Sequence, residues 1–260
     1  MSVTAHAPGS VTPLFVPQDG DSSLGISFAT ADGVTATVET AREPLVYLDS
    51  RPAQVEPVTG VLDRLGVTAT VRLETDVPIG CGFGASGAAT LATALAANER
   101  FDLNYDREAL VEMAHRAEVA AGTGLGDVFI QSRGGIVWDV GDGLERTTRT
   151  AQIEYQSLGG ITTAAVLGNE GTMDQVRAAG RDALAGIDPG GPVAALFEAS
   201  WRFAQATGLA TDRVAELVAT VQEAGGAATM AMIGKTVVAT GADGALDHDT
   251  HITSEGAALQ

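Results

Sequence analysis

Short apolar runs broken by glycine and proline fill the first 76 residues of the chain, a pattern typical of β-strands. Strands are predicted at residues 26–29, 34–39 and 45–48, and also at 67–74, where apolar and polar positions alternate. The segment 58–65 predicts a short helix between the last two strands. This first part of the chain is therefore predicted to be mainly β.

Helical patterns begin after this β-rich part. Residues 85–100 are rich in alanine and leucine and lack a helix breaker after the first turn, which predicts a mostly buried helix. Asp106 is a suitable N-cap for a second helix that runs to Gly122, and glycine suits the position after a helix end. Residues 134–140 predict a buried strand, closed by the Gly-Asp-Gly turn at 141–143.

A polar segment at 144–160 is the predicted boundary between two domains, residues 1–150 and 151–260. Beyond it, the hydrophobic periodicity predicts a strand at 162–167, helices near 172–186, 193–207 and 212–224, and strands at 227–233 and 236–240. The tail from Gly241 onward is polar and is predicted to be loosely ordered. Together these elements predict an α+β protein of two lobes with a cleft between them.

The charge of the chain limits what it can bind. Its 33 acidic and 15 basic residues give a formal net charge of −18, and Lys235 is the single lysine. Such a field repels phosphate backbones and anionic lipid, which argues against a general nucleic-acid or membrane-surface binder. The composition resembles that of cytosolic proteins in halophilic, salt-accumulating microbes, although a high-GC genome would also give an ordinary acidic enzyme.

Cysteine usage and the length of the apolar runs indicate the compartment. Cys81 is the only cysteine, so the chain has no internal disulfide and no CxxC motif. No stretch approaches the roughly 20 uninterrupted apolar residues of a membrane helix, and the N-terminus lacks the pattern of a secretion signal. We therefore expect a cytoplasmic protein.

The most informative segment joins a predicted strand to the predicted helix at 85–100 and reads Pro78-Ile-Gly-Cys-Gly-Phe-Gly-Ala-Ser-Gly-Ala88. Glycines let the backbone approach a ligand and adopt positive φ. The free N–H groups at a helix start carry the positive end of the helix dipole. The segment therefore predicts a phosphate-binding loop that needs no basic side chain.

Three other uses of such a loop fit less well. A Walker A loop needs Lys-Ser/Thr after its last glycine, but Gly87 is followed by two alanines. A dinucleotide-binding GxGxxG needs a second core strand, and residues 101–106 are too short and polar for one. Ser86 lies in a near match to the nucleophile elbow of serine hydrolases, but the later histidines lie in a predicted helix or in the polar tail.

These residues resemble the GHMP kinases, the superfamily of galactokinase, homoserine, mevalonate and phosphomevalonate kinases. Their phosphate loop reads approximately Pro-x-x-x-Gly-Leu-Gly-Ser-Ser-Ala-Ala, which Pro78 to Ala88 matches with three exchanges. Within the superfamily the motifs are most similar to those of archaeal pantoate kinases. Three further segments support this: Ala7-Pro8-Gly9 with Thr12 and Phe15, Thr123-Gly-Leu-Gly-Asp127-Val, and Met230-Ala-Met-Ile-Gly-Lys-Thr236.

The resemblance implies a fold and a set of ligands. The fold is an N-terminal βαβ domain with a left-handed crossover, an exception to the usual hand, beside a C-terminal ferredoxin-like domain. ATP with Mg²⁺ would lie between the lobes. The residues implied to bind the nucleotide are Pro78, Gly80, Gly82, Phe83, Gly84, Ala85, Ser86, Gly87 and Ala88.

The implied reaction is ATP-dependent phosphorylation of a small-molecule substrate, the primary hydroxyl of pantoate, on the archaeal route to coenzyme A. Homoserine, mevalonate or shikimate are alternative acceptors within the superfamily. A catalytically silent nucleotide-binding regulator is the alternative from another functional class. A homodimer is the common default for such an enzyme.

Three side chains are implied to carry the chemistry. The resemblance makes Asp127 the catalytic base that takes the proton of the acceptor hydroxyl, and Ser86 and Glu118 ligands of Mg²⁺. Each has a simpler alternative: Ser86 as a helix cap, Glu118 on a solvated face, and Asp127 as the cap of a helix over 128–133. The presence of all three argues against the silent regulator.

The positive charge that an anionic acceptor needs is not assigned by the sequence. No Lys or Arg precedes Arg42, so the first motif supplies no cation to the transferring phosphate. We expect an arginine to pair with the substrate carboxylate, and Arg116 and Arg133 lie near the key segments. The position of Trp138-Asp139 can be basic in related enzymes.

Two C-terminal segments have both a functional and a simpler interpretation. Residues 225–230 correspond to a third family motif, a glycine-rich turn near the phosphate site, but they also suit an ordinary helix-to-strand turn. The cluster Asp247-His248-Asp249-Thr-His251 has metal-ligating residue types, but a solvated loop is the simpler expectation in a polar tail.

Overall fold

The computed structural model describes residues 1–18, 23–124, 126–160, 170–232 and 234–260, which form twelve β-strands and seven α-helices. The strands are β1 (Ser2–Pro17), β2 (Ser23–Thr40), β3 (Leu45–Leu48), β4 (Arg51–Pro52), β5 (Ala69–Thr75), β6 (Ile136–Asp139), β7 (Glu145–Thr147), β8 (Ala151–Gly160), β9 (Ala227–Ala231), β10 (Gly234–Thr240), β11 (His248–Ile252) and β12 (Ala258–Leu259). The helices are α1 (Glu56–Leu65), α2 (Ala85–Arg100), α3 (Arg107–Ala121), α4 (Asp127–Arg133), α5 (Glu170–Ala185), α6 (Val193–Thr207) and α7 (Asp212–Glu223). The predicted strand at 162–167 lies outside the described residues.

All twelve strands belong to one sheet, in which the long strand β2 pairs with β1, β5, β6 and β11. The main path of the sheet runs β4-β3-β5-β2-β11-β8-β10-β9. Paired strands are antiparallel except β3 and β5, which are parallel and are connected through α1. The mixed α+β architecture is thus confirmed, whereas the left-handed crossover, the ferredoxin-like C-terminal domain and the boundary near residue 150 stay predictions.

The first strand is irregular where it passes the candidate site. Its pairing with β2 shifts register between Pro8 and Gly9 and again between Val11 and Leu14. Such bulges bend a strand and redirect its side chains. Ser10 lies between the two shifts, and Thr12 lies within the second. The bends explain how an irregular strand directs these polar side chains toward the interior of the fold.

Helix α2 forms the centre of the N-terminal core. Twelve of its sixteen residues are buried, against β1, β2, α1 and α3. The small side chains of its alanines allow this close packing on several sides. Since the glycine loop leads directly into α2, burial of the helix holds the loop in a fixed position. A second apolar cluster lies between α5, α6, α7 and strands β9 and β10.

Local sequence signals located the N-terminal helices well. The predicted helix at 85–100 is α2, residue for residue. Asp106 caps α3 by accepting a hydrogen bond from the Ala109 N–H at 2.8 Å, and Gly122 ends the helix in the left-handed conformation. Both predicted caps are therefore confirmed.

The expected loose order of the tail from Gly241 is wrong. Residues 248–252 form β11, which pairs with β8 and, at Ile252, with β2, while β12 pairs with β1. Thr250 and Ile252 are buried in the sheet, which stabilises a strand whose other positions are polar. Asp247, His248, Asp249 and His251 are exposed, as the solvated interpretation expects, but most of this segment is a strand and not a loop. Among the described residues no three acidic, histidine or cysteine side chains converge on a metal position.

None of the helices in the described part of the chain combines the length and the hydropathy that a bilayer span requires.

Candidate active site

A cavity of about 520 Å³ opens where the glycine loop meets α3, α4, β1, β2 and the hairpin of β6 and β7. Two of the three side chains that the resemblance assigns to the chemistry, Ser86 and Asp127, line this cavity. The third, Glu118, lies behind the wall and is hydrogen-bonded to the lining residues Ser86 and Thr123. The lining also includes Thr12 and Met232, so segments more than 100 residues apart in the chain meet in one place. Cavities of this size bind small-molecule ligands in other proteins.

The glycine loop packs closely against two other segments of the same polypeptide, one at each side. Gly84, the N-cap of α2, has φ +61°, and a Cβ there would lie 2.3 Å from the Ser10 Oγ. Gly82 has φ +92°, and its Cβ would lie 2.9 Å from the Ala231 Cβ. No side chain caps α2 at Gly84, so its first N–H groups are available for an anion, as the phosphate-loop interpretation requires.

The nine predicted nucleotide-binding residues divide into two groups. Five of them line the cavity, namely Gly80, Gly82, Gly84, Ala85 and Ser86. The others do not: Pro78 lines a separate cavity of about 270 Å³, and Phe83, Gly87 and Ala88 are buried. The Phe83 ring packs edge-on against Tyr155, with the centroids 4.7 Å apart. These buried members shape the loop by packing.

Glu118 is buried, with 3% of its surface exposed, and three hydroxyls donate hydrogen bonds to its carboxylate. Ser86 and Thr90 donate to Oε1 at 2.9 and 2.7 Å, and Thr123 donates to Oε2 at 2.8 Å. Burial raises the pKa of Glu118, the three hydroxyls lower it, and the charge of Asp127 raises it further, so the pKa lies above its ordinary value. The solvated-face interpretation of Glu118 is therefore wrong.

The pair of Ser86 and Glu118 fits the ligand set of a magnesium ion. The Ser86 Oγ and the Glu118 Oε1 are 2.9 Å apart. Two adjacent oxygens of an octahedral Mg²⁺ shell, each about 2.0–2.1 Å from the ion, lie roughly 2.9–3.0 Å apart. Because the Ser86 hydroxyl is used in this pair and makes no cap hydrogen bond, its interpretation as a helix cap is wrong.

Asp127 is half-buried, and it opens α4 as the first helical residue after the N-cap Gly126. The N-cap of α4 is Gly126, and Asp127 lies inside the helix with its Oδ1 bonded to Ser10, so the capping interpretation fails here too. The Ser10 hydroxyl donates to Oδ1 at 2.7 Å, and no described residue donates to Oδ2. Burial raises the pKa of Asp127 above its ordinary value, and the Ser10 hydrogen bond offsets part of that rise.

Gly124 lies between the two carboxylates. A Cβ at this position would lie 3.1 Å from the Glu118 Oε2 and 3.7 Å from the Asp127 Oδ2. The absence of a side chain therefore leaves the space between the two carboxylates open to the cavity. A metal ion held by Glu118 and a proton acceptor at Asp127 could then contact the same bound molecule.

Sequence reasoning did not find several functional residues. Ser10 and Gln131 are both buried, and the hydrogen bonds of Ser10 to Asp127 and to Gln131 span 117 and 121 residues of chain. The bond from Gln131 to the Gly84 carbonyl oxygen spans 47 residues, so no local spacing indicates either residue. Thr90 lies one turn after Ser86 on α2, and helical spacing alone would have placed both hydroxyls on one face. Thr123 opens the motif Thr123-Gly-Leu-Gly-Asp127-Val, but the motif itself indicates no role for its hydroxyl.

Neither arginine expected to pair with a substrate carboxylate lines the cavity. Arg116 is exposed and bonded to Glu112 at 2.7 Å, and Arg133 donates to the Phe129 carbonyl at 3.1 Å. Among the described residues the cavity lining contains no Lys or Arg, and the remaining segments of the chain contain none in their sequence. The basic group in the lining is His115, whose buried Nδ1 has no described hydrogen-bond partner.

The third-motif segment contacts the loop at its far end. Residues 225 and 226 form the turn after α7, at the end of β9 away from the loop. Contact with the glycine loop is made by Ala231, and by Gly234, whose Cβ would lie 2.5 Å from the Cys81 carbonyl oxygen. The glycine-rich turn is therefore an ordinary helix-to-strand connection, and the end of β9 and the start of β10 support the loop.

Comparison with known proteins agrees with this arrangement. Residues 55–135 match the family of GHMP kinases N terminal domain. The chain is 26% identical over 258 residues to a pantoate kinase of Methanospirillum hungatei and 28% identical over 266 residues to one of Thermococcus kodakarensis. Each alignment covers 92% of this chain and 87% of the relative.

One solved structure has a similar fold over the whole chain. It is described as a phosphotransferase related to the CoA biosynthesis pathway, with a TM-score of 0.87 and 22% sequence identity. The alignment covers 100% of this chain and 99% of that one. The resemblance to the GHMP kinases that the motifs indicated is thus confirmed.

Proposed function

We propose that this chain, which belongs to the GHMP kinase superfamily, transfers the γ-phosphoryl group of ATP to the primary hydroxyl of pantoate and so forms 4-phosphopantoate. The observation that carries the proposal is Asp127, which lines the cavity together with the glycine loop and whose Oδ2 receives no hydrogen bond from a described residue. The acceptor is suggested by the pantoate kinases to which the chain is similar. In archaea this reaction would lie on a route to coenzyme A.

The residues divide the reaction among them. The N–H groups of the glycine loop and of the start of α2 hold the phosphates. Ser86 and Glu118 would hold Mg²⁺, which when bound neutralises charge on the β- and γ-phosphates. Asp127 orients the acceptor hydroxyl and accepts its proton at Oδ2, while the raised pKa makes the carboxylate a better base than an exposed aspartate. Without Lys or Arg in the lining, backbone groups and the ion must stabilise the transferring charge.

The lining also favours a second candidate acceptor. Asp139 lines the same cavity, and its Oδ1 accepts a hydrogen bond from the Gly141 N–H at 2.8 Å. It makes no ion pair with a described residue, and no Lys or Arg lies in the lining to receive a carboxylate. Homoserine and pantoate both carry a carboxylate, for which the lining offers only His115 and hydroxyls, but homoserine also has an ammonium group that would pair with Asp139.

A substrate panel tests the proposal. ADP release would be measured with pantoate, homoserine, mevalonate and shikimate, in dilute buffer and in molar KCl, for the wild type and for Asp127→Asn. We expect turnover with pantoate that the substitution removes. Because the net charge is −18 and both ligands are anions, we also expect activity to rise with salt.

Each other outcome has a defined meaning. Turnover with homoserine alone would replace the first acceptor by the second, and full activity of Asp127→Asn would remove the proposed base. ATP binding without turnover on any alcohol would favour the nucleotide-binding regulator. Full activity in dilute buffer would contradict a salt-rich, halophilic cytoplasm as the working environment. Sedimentation of the same samples would test the expected homodimer.

A further inference from the structure

Gln131 is a buried polar side chain to which the mechanism above gives no task. It lies on α4 one turn after Asp127, so the two side chains share one face of the helix. Its surface is 0% exposed, and no described donor reaches its Oε1. A buried amide oxygen without a partner destabilises the folded protein, which calls for a function at this position.

The amide nitrogen of Gln131 makes two hydrogen bonds in this interior. It donates to the Gly84 carbonyl oxygen at 2.8 Å and to the Ser10 Oγ at 3.2 Å. A carbonyl oxygen can only accept, so Gly84 requires that the NH₂ group, and not Oε1, faces this side. The glycine loop therefore determines the orientation of the Gln131 amide.

This orientation in turn determines the direction of the Ser10 hydroxyl. An amide NH₂ group only donates, so the Ser10 Oγ must accept from it. The single proton of that hydroxyl is then directed at the Asp127 Oδ1, 2.7 Å away. The Ser10 N–H donates to the Phe83 carbonyl oxygen at 2.9 Å, which fixes the serine backbone against the same loop. The chain of hydrogen bonds has one possible proton arrangement from Gly84 to the carboxylate.

We propose that Gln131 is a positioning residue for the catalytic base: it directs the Ser10 proton to the Asp127 Oδ1 and so leaves Oδ2 turned to the acceptor alcohol. The proposal rests on the proposed function, since it takes Asp127 as the base. It also gives the glycine loop a second task. The loop that holds the phosphates fixes, through Gly84, the group that orients the proton acceptor.

The test uses three substitutions and a control in the full chain. Gln131→Leu removes both donors at similar volume, and Gln131→Glu replaces the donor by a carboxylate that would take the Ser10 proton itself. Ser10→Ala removes the middle of the chain. The control is Gln222→Leu, the same exchange on the exposed side of α7. Thermal unfolding of each variant identifies any that fails to fold, and Gln131→Met then replaces it.

Kinetics provide the first measurement. We expect each Gln131 variant to lower kcat about 10- to 100-fold, since a base displaced by about 1 Å loses on that order. KM for ATP and for the acceptor should change little, and Gln222→Leu should behave as the wild type. The double variant Ser10→Ala with Gln131→Leu should lose no more than Ser10→Ala alone, because both act through one hydrogen bond. An unchanged kcat in Gln131→Leu, or losses that multiply in the double variant, would overturn the proposal.

The carboxyl ¹³C resonance of Asp127 provides a second measurement that needs no turnover. It would be assigned by its absence from Asp127→Asn in protein labelled with [γ-¹³C]aspartate. We expect Gln131→Leu to move this resonance to the position that it has in Ser10→Ala. A resonance that Ser10→Ala moves and Gln131→Leu does not would overturn the proposal. If the wild type phosphorylates no alcohol, the proposed function fails, and this resonance still decides whether Gln131 directs the Ser10 proton.

Discussion

The carboxylates of Glu118, which is buried beneath the cavity wall, and of half-buried Asp127, which lines the cavity, differ in how many hydroxyls bind them. Glu118 receives three donors, and both of its oxygens are used. Asp127, nine residues later in the chain, receives one donor from the described residues, at Oδ1. Burial raises the pKa of both groups. Their surroundings therefore differ in hydrogen bonding as well as in exposure.

This difference matches two kinds of chemistry. A carboxylate held at both oxygens is fixed in place, which suits a group that must present an oxygen to a cation in a constant geometry. A carboxylate with a free oxygen can accept a proton, which suits a general base. Two acidic side chains thus suit different tasks because the hydroxyls around them differ. Exchanging each carboxylate for an amide should separate the two tasks.

The largest expected effect is the loss of the proton acceptor. Asp127→Asn retains the shape of the side chain and can still accept from Ser10, but it cannot take up the hydroxyl proton. We expect kcat to fall about 10²- to 10⁴-fold, the usual contribution of a general base, with KM for ATP nearly unchanged. Asp139→Asn removes a charge from the same cavity and should have a much smaller effect on kcat. Equal losses in both variants would mean that charge, and not proton transfer, distinguishes Asp127.

The next effect concerns Glu118 and the magnesium requirement. Glu118→Gln replaces a carboxylate by a neutral amide next to Ser86. We expect the Mg²⁺ concentration for half-maximal activity to rise about 10- to 100-fold, since exchanges around a metal commonly cost that much affinity. Glu112→Gln, on the exposed side of the same helix, is the matched control. A larger loss of kcat at saturating Mg²⁺ than in Asp127→Asn would contradict the division of tasks.

The sequence predicted elements whose signals are local. Helix α2 follows from its unbroken alanine and leucine run, and α3 from Asp106 and Gly122 at its ends. Strand β1 contains three prolines and two register shifts, so its residues do not alternate, and only pairing with β2 makes it a strand. Strand β11 buries Thr250 and Ile252 between polar residues, a signal too short to separate from a loop.

The same distinction holds within the site. Ser86 and Asp127 were singled out because each lies in a motif that resembles a known family, and Glu118 because the same resemblance implies a magnesium ligand near the end of α3. Ser10 and Gln131 could not be identified, because their hydrogen bonds span 117 and 121 residues of chain. Hydrogen bonds of this kind depend on where a residue lies in the fold and not on its spacing in the sequence. Motifs indicated the proposed reacting groups, whereas the groups proposed to orient them could be found only from the fold.

A smaller effect concerns the helix that carries Asp127, because the C-terminal tail packs on the backbone of α4 and reaches α3 only at its first residue, Arg107, which donates to the Ala257 carbonyl oxygen. The Ala257 N–H donates to the Gln131 carbonyl oxygen at 2.8 Å, and a Cβ on Gly256 would lie 2.2 Å from the Ser132 carbonyl oxygen. We expect Gly256→Ala to lower the free energy of unfolding by about 1–3 kcal/mol through overpacking, and to lower kcat while the Mg²⁺ requirement stays constant.

The matched control is Gly186→Ala, because the nearest atoms to its Cβ would be 3.9 Å away and the glycine has no positive φ. It should leave both kinetic parameters unchanged. Denaturant unfolding gives the free energies, and a magnesium titration of activity gives the requirement. If Gly256→Ala alters the Mg²⁺ requirement as strongly as kcat, the tail supports both carboxylates and the comparison is wrong.

The smallest expected effect is a gain of stability when Asp127 loses its charge. Its pKa is raised in the folded protein, so between the ordinary value of about 3.9 and the raised value the folded state binds more protons than the unfolded state. The free energy of unfolding then falls as pH rises through this window, and the loss persists at neutral pH. Asp127→Asn does not titrate, so it should unfold at a higher temperature than the wild type at pH 7 and lose this advantage below about pH 4.

Glu118→Gln should gain less stability than Asp127→Asn, because its amide cannot accept from hydroxyls at both ends. Thermal unfolding from pH 4 to 8 without Mg²⁺ measures both variants, and an equal gain in the two would show that the three hydroxyls around Glu118 contribute nothing to holding its charge.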